Sequence, residues 1–288
     1  MMLFQHMALS KLAIIGDIHS NSLALKACLQ SIAEYESNVS SIDLIVFIGD
    51  LLTYGVQPLE TLCEIRHLSS SRPCVFILGN HDQMYIDLIR NSHSHYYSRM
   101  PDWIKESVDF NLQNIDSNLF LYIKFIPLYC FNDTVFAHAN FSSLAPNSFD
   151  WSYVNTDDDH LQQMCNISNS GFRLGVLGHT HRSRCFSLNS SGSSSSPLCL
   201  NRPLQLDTKL DFLGYSCSLL NSGSIGQPRE RPLSDPAWLL IEFDDLIASS
   251  ATFVSFCYDI DVHINNIYDS NLSLHCVQKL TSFFNYSR

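Results

Sequence analysis

The chain has 288 residues, of which 45% are hydrophobic and 16% charged, as is typical of a globular protein with a substantial core. Its formal net charge of −11 argues against general nucleic-acid or anionic-membrane binding, because both need clustered lysine and arginine. No stretch approaches the ~20 apolar residues of a membrane span, and the amino-terminal region lacks the apolar run of a secretory signal. The ten cysteines include no CxxC pair, so we expect reduced thiols and a cytoplasmic protein.

Five short apolar runs in the first two thirds of the chain end in polar side chains that can bind metals. These segments are 12–19, 44–50, 75–82, 134–140 and 174–181. Continuous runs rich in valine, isoleucine and phenylalanine predict strands that are buried on both faces. Helical periodicity is present over 22–36 and 58–68, and over 103–121 with a break near 111–118. This alternation of strands and helices predicts an α/β fold.

The last third of the chain has a different composition, with a serine-rich stretch near its start. We interpret 187–214 as a partly disordered excursion between two strands. Strands are predicted again over 217–220, 237–243 and 252–258. A helix is predicted near 260–266. Residues 11–261 then form one domain, and 262–288 form a weakly patterned carboxyl-terminal extension.

The polar residues that follow the apolar runs form one set of candidate metal ligands. The set contains Asp17, His19, Asp50, Asn80, His138, His179 and His181. Ligands of α/β folds bind beyond the carboxyl ends of the strands, so we expect these side chains to meet at one site. Carboxylate, imidazole and amide donors without thiolates favour Mn, Fe, Zn, Co or Ni ions. Seven donors suit two divalent cations that share a carboxylate, an arrangement that can clamp a phosphoryl group.

The same residues lie in five short motifs in a fixed order. The motifs are Asp17-Ile18-His19, Gly49-Asp50, Gly79-Asn80-His81-Asp82, His138 and Gly178-His179-Thr180-His181. In these motifs the chain resembles the calcineurin-like metallophosphoesterase superfamily, whose pattern is D-x-H, GD, GNH(D/E), H and GHxH. Segments 16–21, 49–58 and 221–229 further resemble its bacterial single-domain phosphodiesterase branch. The resemblance covers about 11–261 and implies an α/β/β/α fold, a two-sheet sandwich flanked by helices.

The resemblance also implies a role for each residue of a metal-dependent phosphodiesterase. It places Asp17, His19 and His181 on one ion, Asn80, His138 and His179 on the other, and Asp50 between the two. A hydroxide that bridges the ions would be the nucleophile, and His81 would lie beside the leaving-group oxygen. Asp82 would orient His81 or cap the following helix. Asn80, His81 and Arg229 would contact the substrate, although Arg229 is equally consistent with a solvated loop residue.

The chain departs from the protein Ser/Thr phosphatases and symmetrical dinucleoside polyphosphatases of this superfamily, which carry GDxxDRG and GNHE. Residues 49–55 are GDLLTYG, without the phosphate-binding arginine, and Asp82 replaces the glutamate. Both changes argue against phosphoprotein phosphatase activity. The substrate is then a small or nucleotide-like phosphate ester, and the surface that contacts its leaving group is expected around 85–103 and 142–159.

Three alternatives to a phosphodiesterase stay open. The protein could be a phosphomonoesterase or a nucleotide pyrophosphatase, because each of these also places one phosphoryl group on two metals. It could also be a non-catalytic metal-binding scaffold, as in one subunit of an endosomal sorting coat that resembles this branch. We interpret the remaining histidines as structural or solvated: His6, His67, His93, His95, His160, His263 and His275. The acidic run 157–159 is interpreted as a solvated loop or a helix start.

Overall fold

The computed structural model describes residues 11–142, 150–189, 199–229 and 236–284. Most of the serine-rich stretch, part of the expected leaving-group surface, and His6 lie outside these ranges.

A mixed sheet has β1 at its centre and, within the described ranges, seven strands. In spatial order they are β10 (Lys209–Asp211), β13 (Ile247–Ser255), β12 (Ala237–Asp244), β1 (Lys11–Ile15), β2 (Leu44–Phe47), β3 (Cys74–Ile77) and β4 (Phe125–Ile126). Strands β1 to β4 pair in parallel, whereas β12 pairs with β1 in the antiparallel sense. The carboxyl ends of β1, β2 and β3 therefore meet at one edge of this sheet.

A second mixed sheet faces the first and has six strands in the same part of the chain. They are β5 (Leu128–Phe131), β6 (Thr134–Ala137), β7 (Leu174–Leu177), β11 (Tyr215–Asn221), β8 (Arg184–Asn189) and β9 (Cys199–Asn201). Strands β6, β7 and β11 are parallel neighbours. Their carboxyl ends also meet at one edge, which brings the ends of β6 and β7 together.

Helices cover both outer faces of the two sheets. They are α1 (Ser22–Asn38), α2 (Pro58–Ser71), α3 (Asn80–Ile89), α4 (His95–Arg99), α5 (Asp102–Gln113), α6 (Ser117–Leu121), α7 (Asp157–Asn169), α8 (Ile260–Tyr268) and α9 (Leu274–Ser282). Helix α1 begins where the Asn21 side chain accepts a hydrogen bond from the Ala24 amide, and α2 begins at Pro58, as predicted. None of the described helices combines the length and apolarity that a membrane crossing requires.

The core has the layers that the two-sheet sandwich predicts. Alternate residues of β1 point to opposite sides: Ala13 and Ile15 pack in the cluster under the helices of the first sheet. Leu12 and Ile14 pack instead in the cluster between the sheets, which also contains Val176 of the second sheet. A third cluster lies between the second sheet and α7. The predicted α/β/β/α arrangement is confirmed.

Two stretches are more regular than the sequence predicts. Within 187–214, β8 continues to its end at Asn189, while β9 joins the second sheet and β10 the first, so cross-strand pairing organises the described part of this stretch. Within 262–288, α9 follows α8 and the pair has its own small apolar cluster. The ten cysteines are all free thiols, as expected.

Candidate metal centre

The seven candidate ligands converge at the edge where five parallel strands end. Asp17 and His19 follow β1, Asp50 follows β2, and Asn80 begins α3 directly after β3. His138 follows β6, and the last two histidines follow β7. All seven side chains are buried, each with no more than 3% of its surface exposed. The predicted meeting of these residues at one site is confirmed.

Five of these seven residues have left-handed backbone conformations. They are Asp17, His19, Asp50, His179 and His181, with φ between 43° and 66°. Such a conformation costs a non-glycine residue ~1–3 kcal/mol and persists only where surrounding contacts enforce it. Here the His19 amide donates to the Asp50 carbonyl at 3.1 Å, and the Gly226 amide donates to the Asp17 carbonyl at 3.2 Å. The fold therefore holds the loops in a strained form that aims the side chains inward.

One group of side chains that could hold a metal ion contains Asp17, His19, Asp50 and His181. The Nδ1 atoms of His19 and His181 donate to the carbonyls of Leu52 at 2.9 Å and Gln227 at 2.7 Å. Each neutral ring therefore carries a lone pair on Nε2, and the two Nε2 atoms face each other at 2.9 Å. The Oδ1 atom of Asp17 is 3.2 Å from the His181 Nε2 and has no hydrogen-bond partner. Acceptors that face one another in this way fit a cation between them.

The second group contains Asp50, His138 and His179, so Asp50 belongs to both groups. The His138 Nδ1 donates to the Ile48 carbonyl at 2.6 Å, and the His179 Nε2 donates to another backbone carbonyl at 3.0 Å. The His138 Nε2 then faces the Asp50 Oδ2 at 3.3 Å and the Asn80 Oδ1 at 3.0 Å. Backbone carbonyls thus fix the ring orientation of every candidate histidine, as is usual for metal-bound histidines.

The electrostatics of the site favour neutral imidazoles at three of the four candidate histidines. Burial lowers the pKa of His19, His179 and His181 well below the usual range, and neighbouring positive charge lowers it further. Burial acts in the same direction on His138, but the Asp50 carboxylate raises the pKa of His138 to about 9. Asp50 thus favours the protonated form of His138, in contrast to the other three candidate histidines.

His81 lies beside both groups without belonging to either. Its Nδ1 is 2.9 Å from the Thr53 Oγ1, and its Nε2 is 3.4 Å from the Tyr54 hydroxyl. The Nε2 is also 4.0 Å from the shared Asp50 Oδ2. Its imidazole is therefore held at the border of the centre, where the resemblance places the leaving-group oxygen.

Asp82 has a structural role instead of contacting His81. Its carboxylate accepts hydrogen bonds from the backbone amides of Asp50 at 2.8 Å, Leu51 at 3.0 Å and Gly79 at 3.0 Å. The predicted orientation of His81 by Asp82 is therefore wrong, because Thr53 holds that ring. The alternative, that Asp82 caps the following helix, is confirmed by its bond to the Gly79 amide at the start of α3. Through its other two bonds Asp82 also fixes the loop that carries the shared carboxylate.

Arg229 lies next to the first group of ligands. Its backbone amide donates to the His181 carbonyl at 3.2 Å. Its guanidinium carbon is 5.9 Å from the ring centre of Tyr54 and 5.8 Å from that of Phe283. Its Nε is buried without a hydrogen-bond partner. The side chain is therefore placed beside the centre and is not a fully solvated loop arginine.

Four residues that the sequence did not single out also border the centre. They are Thr53, Tyr54, Tyr96 and Tyr153. The signal for the first two was the departure from GDxxDRG, because Thr53 and Tyr54 occupy the positions of its second aspartate and its arginine. The only signal for Tyr96 and Tyr153 was their place in the segments expected to contact the leaving group.

The histidines interpreted as structural or solvated stay outside both groups where they are described. His160 and His263 are buried elsewhere, and the exposed ones are His67, His93, His95 and His275. The acidic run 157–159 forms the first turn of α7, which confirms its interpretation as a helix start.

Comparisons with known proteins agree with this fold. The chain is 28% identical over 232 residues to the uncharacterized protein MJ0912 of Methanocaldococcus jannaschii, covering 78% of this chain and 79% of that protein. The structure of a metallophosphoesterase from Sphaerobacter thermophilus aligns with a TM-score of 0.69 at 21% identity, over 96% of this chain and 99% of that one. Protein PH1004 from Pyrococcus horikoshii aligns with a TM-score of 0.68 at 16% identity, over 94% and 97% of the two chains. Both structures share the fold. A family model for calcineurin-like phosphoesterases matches residues 10–183, and the chain belongs to that family.

Proposed function

We propose that the protein is a metal-dependent phosphodiesterase whose centre holds two divalent cations drawn from Mn, Fe, Zn, Co and Ni. The observation that carries this proposal is the opposition of acceptor atoms in the first ligand group, above all the 2.9 Å between the Nε2 atoms of His19 and His181. Two groups that share Asp50 support two neighbouring ions. Oxygen and nitrogen donors without thiolates support metals of intermediate hardness.

When bound, the two cations supply an activated water nucleophile and neutralise the charge of the phosphoryl group. The chain's own residues do the rest. In hydrolysis of a diester, the water oxygen bonds to phosphorus, one P–O ester bond breaks, and the released alcohol takes up a proton. His81 would donate that proton or stabilise charge on the leaving oxygen, a role that its position beside Asp50 supports. Arg229 would bind a non-bridging phosphate oxygen.

The substrate is a small or nucleotide-like phosphate ester in this proposal. A phosphomonoesterase or nucleotide pyrophosphatase would use the same centre, and substrate comparison separates them. A scaffold that binds metal without turnover is less well supported, because the candidate ligands are all present and His81 lies beside them. The ten free cysteines support a reducing compartment such as the cytoplasm.

The test is hydrolysis of bis-p-nitrophenyl phosphate and p-nitrophenyl phosphate by metal-stripped protein refilled with Mn²⁺. We expect the diester to be cleaved faster than the monoester. Asn80→Ala should abolish both activities, because it removes an oxygen ligand, whereas Asn80→Asp keeps an oxygen at that position and should retain part of the activity. Arg66→Ala, which alters an exposed arginine stacked on Tyr122, is the control and should match the wild type.

Two outcomes would contradict the proposal. Preferential cleavage of the monoester would favour a phosphomonoesterase. Binding of two equivalents of Mn²⁺ with no cleavage of either ester would favour the scaffold, and the next experiment would then be capture of a protein partner.

A further inference from the structure

Two tyrosine rings cover the metal centre on the side of His81. The Tyr54 ring centre lies 4.6 Å from that of His19 and 5.2 Å from that of His81. The Tyr96 ring meets His81 edge-on from another direction, with ring centres 5.7 Å apart. Tyr54 comes from the loop between β2 and α2 and Tyr96 from α4, so two distant segments supply adjoining ring surfaces.

Two further rings continue this wall past Arg229. Tyr153 stacks on the metal-ligand candidate His179, with ring centres 4.2 Å apart and planes 17° apart, while 46% of its surface is exposed. Phe283, directly after α9, packs near Tyr54 with a ring separation of 6.5 Å. Arg229 lies between these rings and interacts electrostatically with the hydroxyls of Tyr54 and Tyr153. We call Tyr54, Tyr96, Tyr153, Phe283 and Arg229 the aromatic wall.

Core packing accounts for Tyr54 but not for the whole wall. Tyr153 lies against the buried His179 yet keeps 46% of its surface exposed, so part of the side chain is accessible beside the centre. Arg229 keeps a buried Nε without a hydrogen-bond partner, while its Nη2 donates to the Gln227 side-chain oxygen at 3.4 Å. A cation and an open ring face beside a phosphate-binding centre together suit a ligand that is both anionic and flat.

We propose that the aromatic wall is a subsite for a planar aromatic ring carried by the phosphate ester, such as a nucleobase or an aryl group. The proposal rests on the proposed phosphoesterase function and specifies the part of the substrate that the metals do not touch. With the phosphoryl group at the metals, the attached ring would stack on Tyr153 or Phe283, and Arg229 would contact both phosphate and ring. Stacking of one base on an aromatic side chain corresponds to about tenfold or more in affinity.

The test is calorimetric titration of the Mn²⁺-loaded full chain with adenosine 5′-monophosphate and with ribose 5-phosphate, which share phosphate and ribose and differ by the base. We expect the wild type to bind the nucleotide at least about tenfold more tightly. Tyr153→Leu and Phe283→Leu should each bring that ratio towards one, because each weakens the nucleotide more than it weakens ribose 5-phosphate. Tyr122→Leu, at a tyrosine with 67% of its surface exposed, should keep the wild-type ratio.

Phenyl phosphate and cyclohexyl phosphate form a second pair that separates a small aryl ring from a nucleobase. If the protein prefers phenyl phosphate over cyclohexyl phosphate but does not prefer the nucleotide over ribose 5-phosphate, the subsite is one for aryl esters. Equal binding within both pairs, no binding of any of the four compounds, or a ratio that survives both leucine variants would overturn the proposal. Diester hydrolysis is measured separately from ligand binding. If the protein cleaves the diester but does not prefer aromatic ligands, the subsite proposal fails and the proposed function stands. If it binds aromatic ligands preferentially but cleaves no ester, the proposed function fails instead.

Discussion

The two ligand groups share one carboxylate, and this sharing leads to a graded prediction for metal binding. Wild-type protein should bind two equivalents of Mn²⁺. His181→Ala removes a donor of the first group only, so the second group of Asp50, His138 and His179 should still hold one equivalent. Asp50→Asn removes a charged donor from both groups and should weaken both sites.

The size of the effect on stability follows from binding linkage. A free metal concentration of 100 times the dissociation constant stabilises the folded state by about 2.7 kcal/mol per site, so two sites give about 5.4 kcal/mol. For a chain of this size, that corresponds to a rise in melting temperature of about 10 °C for two sites and about 5 °C for one. We expect His181→Ala to show about half of the wild-type rise and Asp50→Asn almost none.

The measurement is scanning calorimetry of each variant with Mn²⁺ and with chelator, together with metal analysis after dialysis. His275→Ala removes an exposed histidine of α9 and serves as the matched control, with two equivalents and the full rise expected. The reasoning is refuted if the wild type binds a single equivalent, if His181→Ala loses all metal-dependent stabilisation, or if Asp50→Asn keeps two tightly bound equivalents.

Three other perturbations have defined outcomes. Burial lowers the pKa of His263 from 6.5 to about 4. Its neutral form therefore stabilises the fold above pH 6.5, and this stability is lost as the pH falls towards 4, by about 2 kcal/mol at pH 5. His263→Phe should remove this part of the pH dependence of the unfolding free energy, measured by urea titration. Gly79→Ala places a methyl group against the Asp50 backbone and carboxylate and should lower Mn²⁺ affinity by ~10-fold or more, measured by calorimetry. Thr53→Val removes the hydroxyl that holds His81 and should lower kcat by ~10–100-fold with little change in metal content, whereas the Thr53→Ser variant should retain most of the activity.

The convergence of the candidate metal ligands could be predicted from sequence because the information about them is local. Each candidate follows a buried parallel strand within a few residues, as with Asp17 after β1 and Asp50 after β2. Parallel strands bring their carboxyl ends to one edge whatever the rest of the chain does. Glycines that adjoin several of these positions in the sequence were a further sign of tight, strained turns.

The role of Asp82 could not be predicted in the same way. A carboxylate one residue after His81 suggests a pair that shares a proton, and sequence spacing alone does not exclude it. The direction of α3 decides the outcome, because it turns the Asp82 side chain towards the amides of Asp50 and Leu51. The partner of the His81 ring is Thr53, which belongs to a different loop.

Local sequence patterns also could not predict that residues near the carboxyl terminus border the candidate site. The apolar positions of residues 262–288 extend over too short a stretch for their periodicity to separate a helix from a tail. The helix α9 is stabilised by tertiary contacts instead, because Val277 and Leu280 pack in one cluster with Tyr54. Its last turn brings Phe283 to Arg229, so a stretch that we interpreted as an extension borders the candidate site.

The missing arginine of the second motif has a structural counterpart elsewhere in the chain. Tyr54 occupies the sequence position of that arginine, and its ring lies 5.9 Å from the guanidinium of Arg229. A tyrosine at this position cannot bind phosphate as a cation, but it offers a ring surface on which a cation from another loop can lie. With tyrosine at this position and arginine on the other loop, one positive charge still lies beside the centre and an aromatic ring face is added. The same change that argues against a phosphoprotein substrate therefore favours a small ester with a flat group.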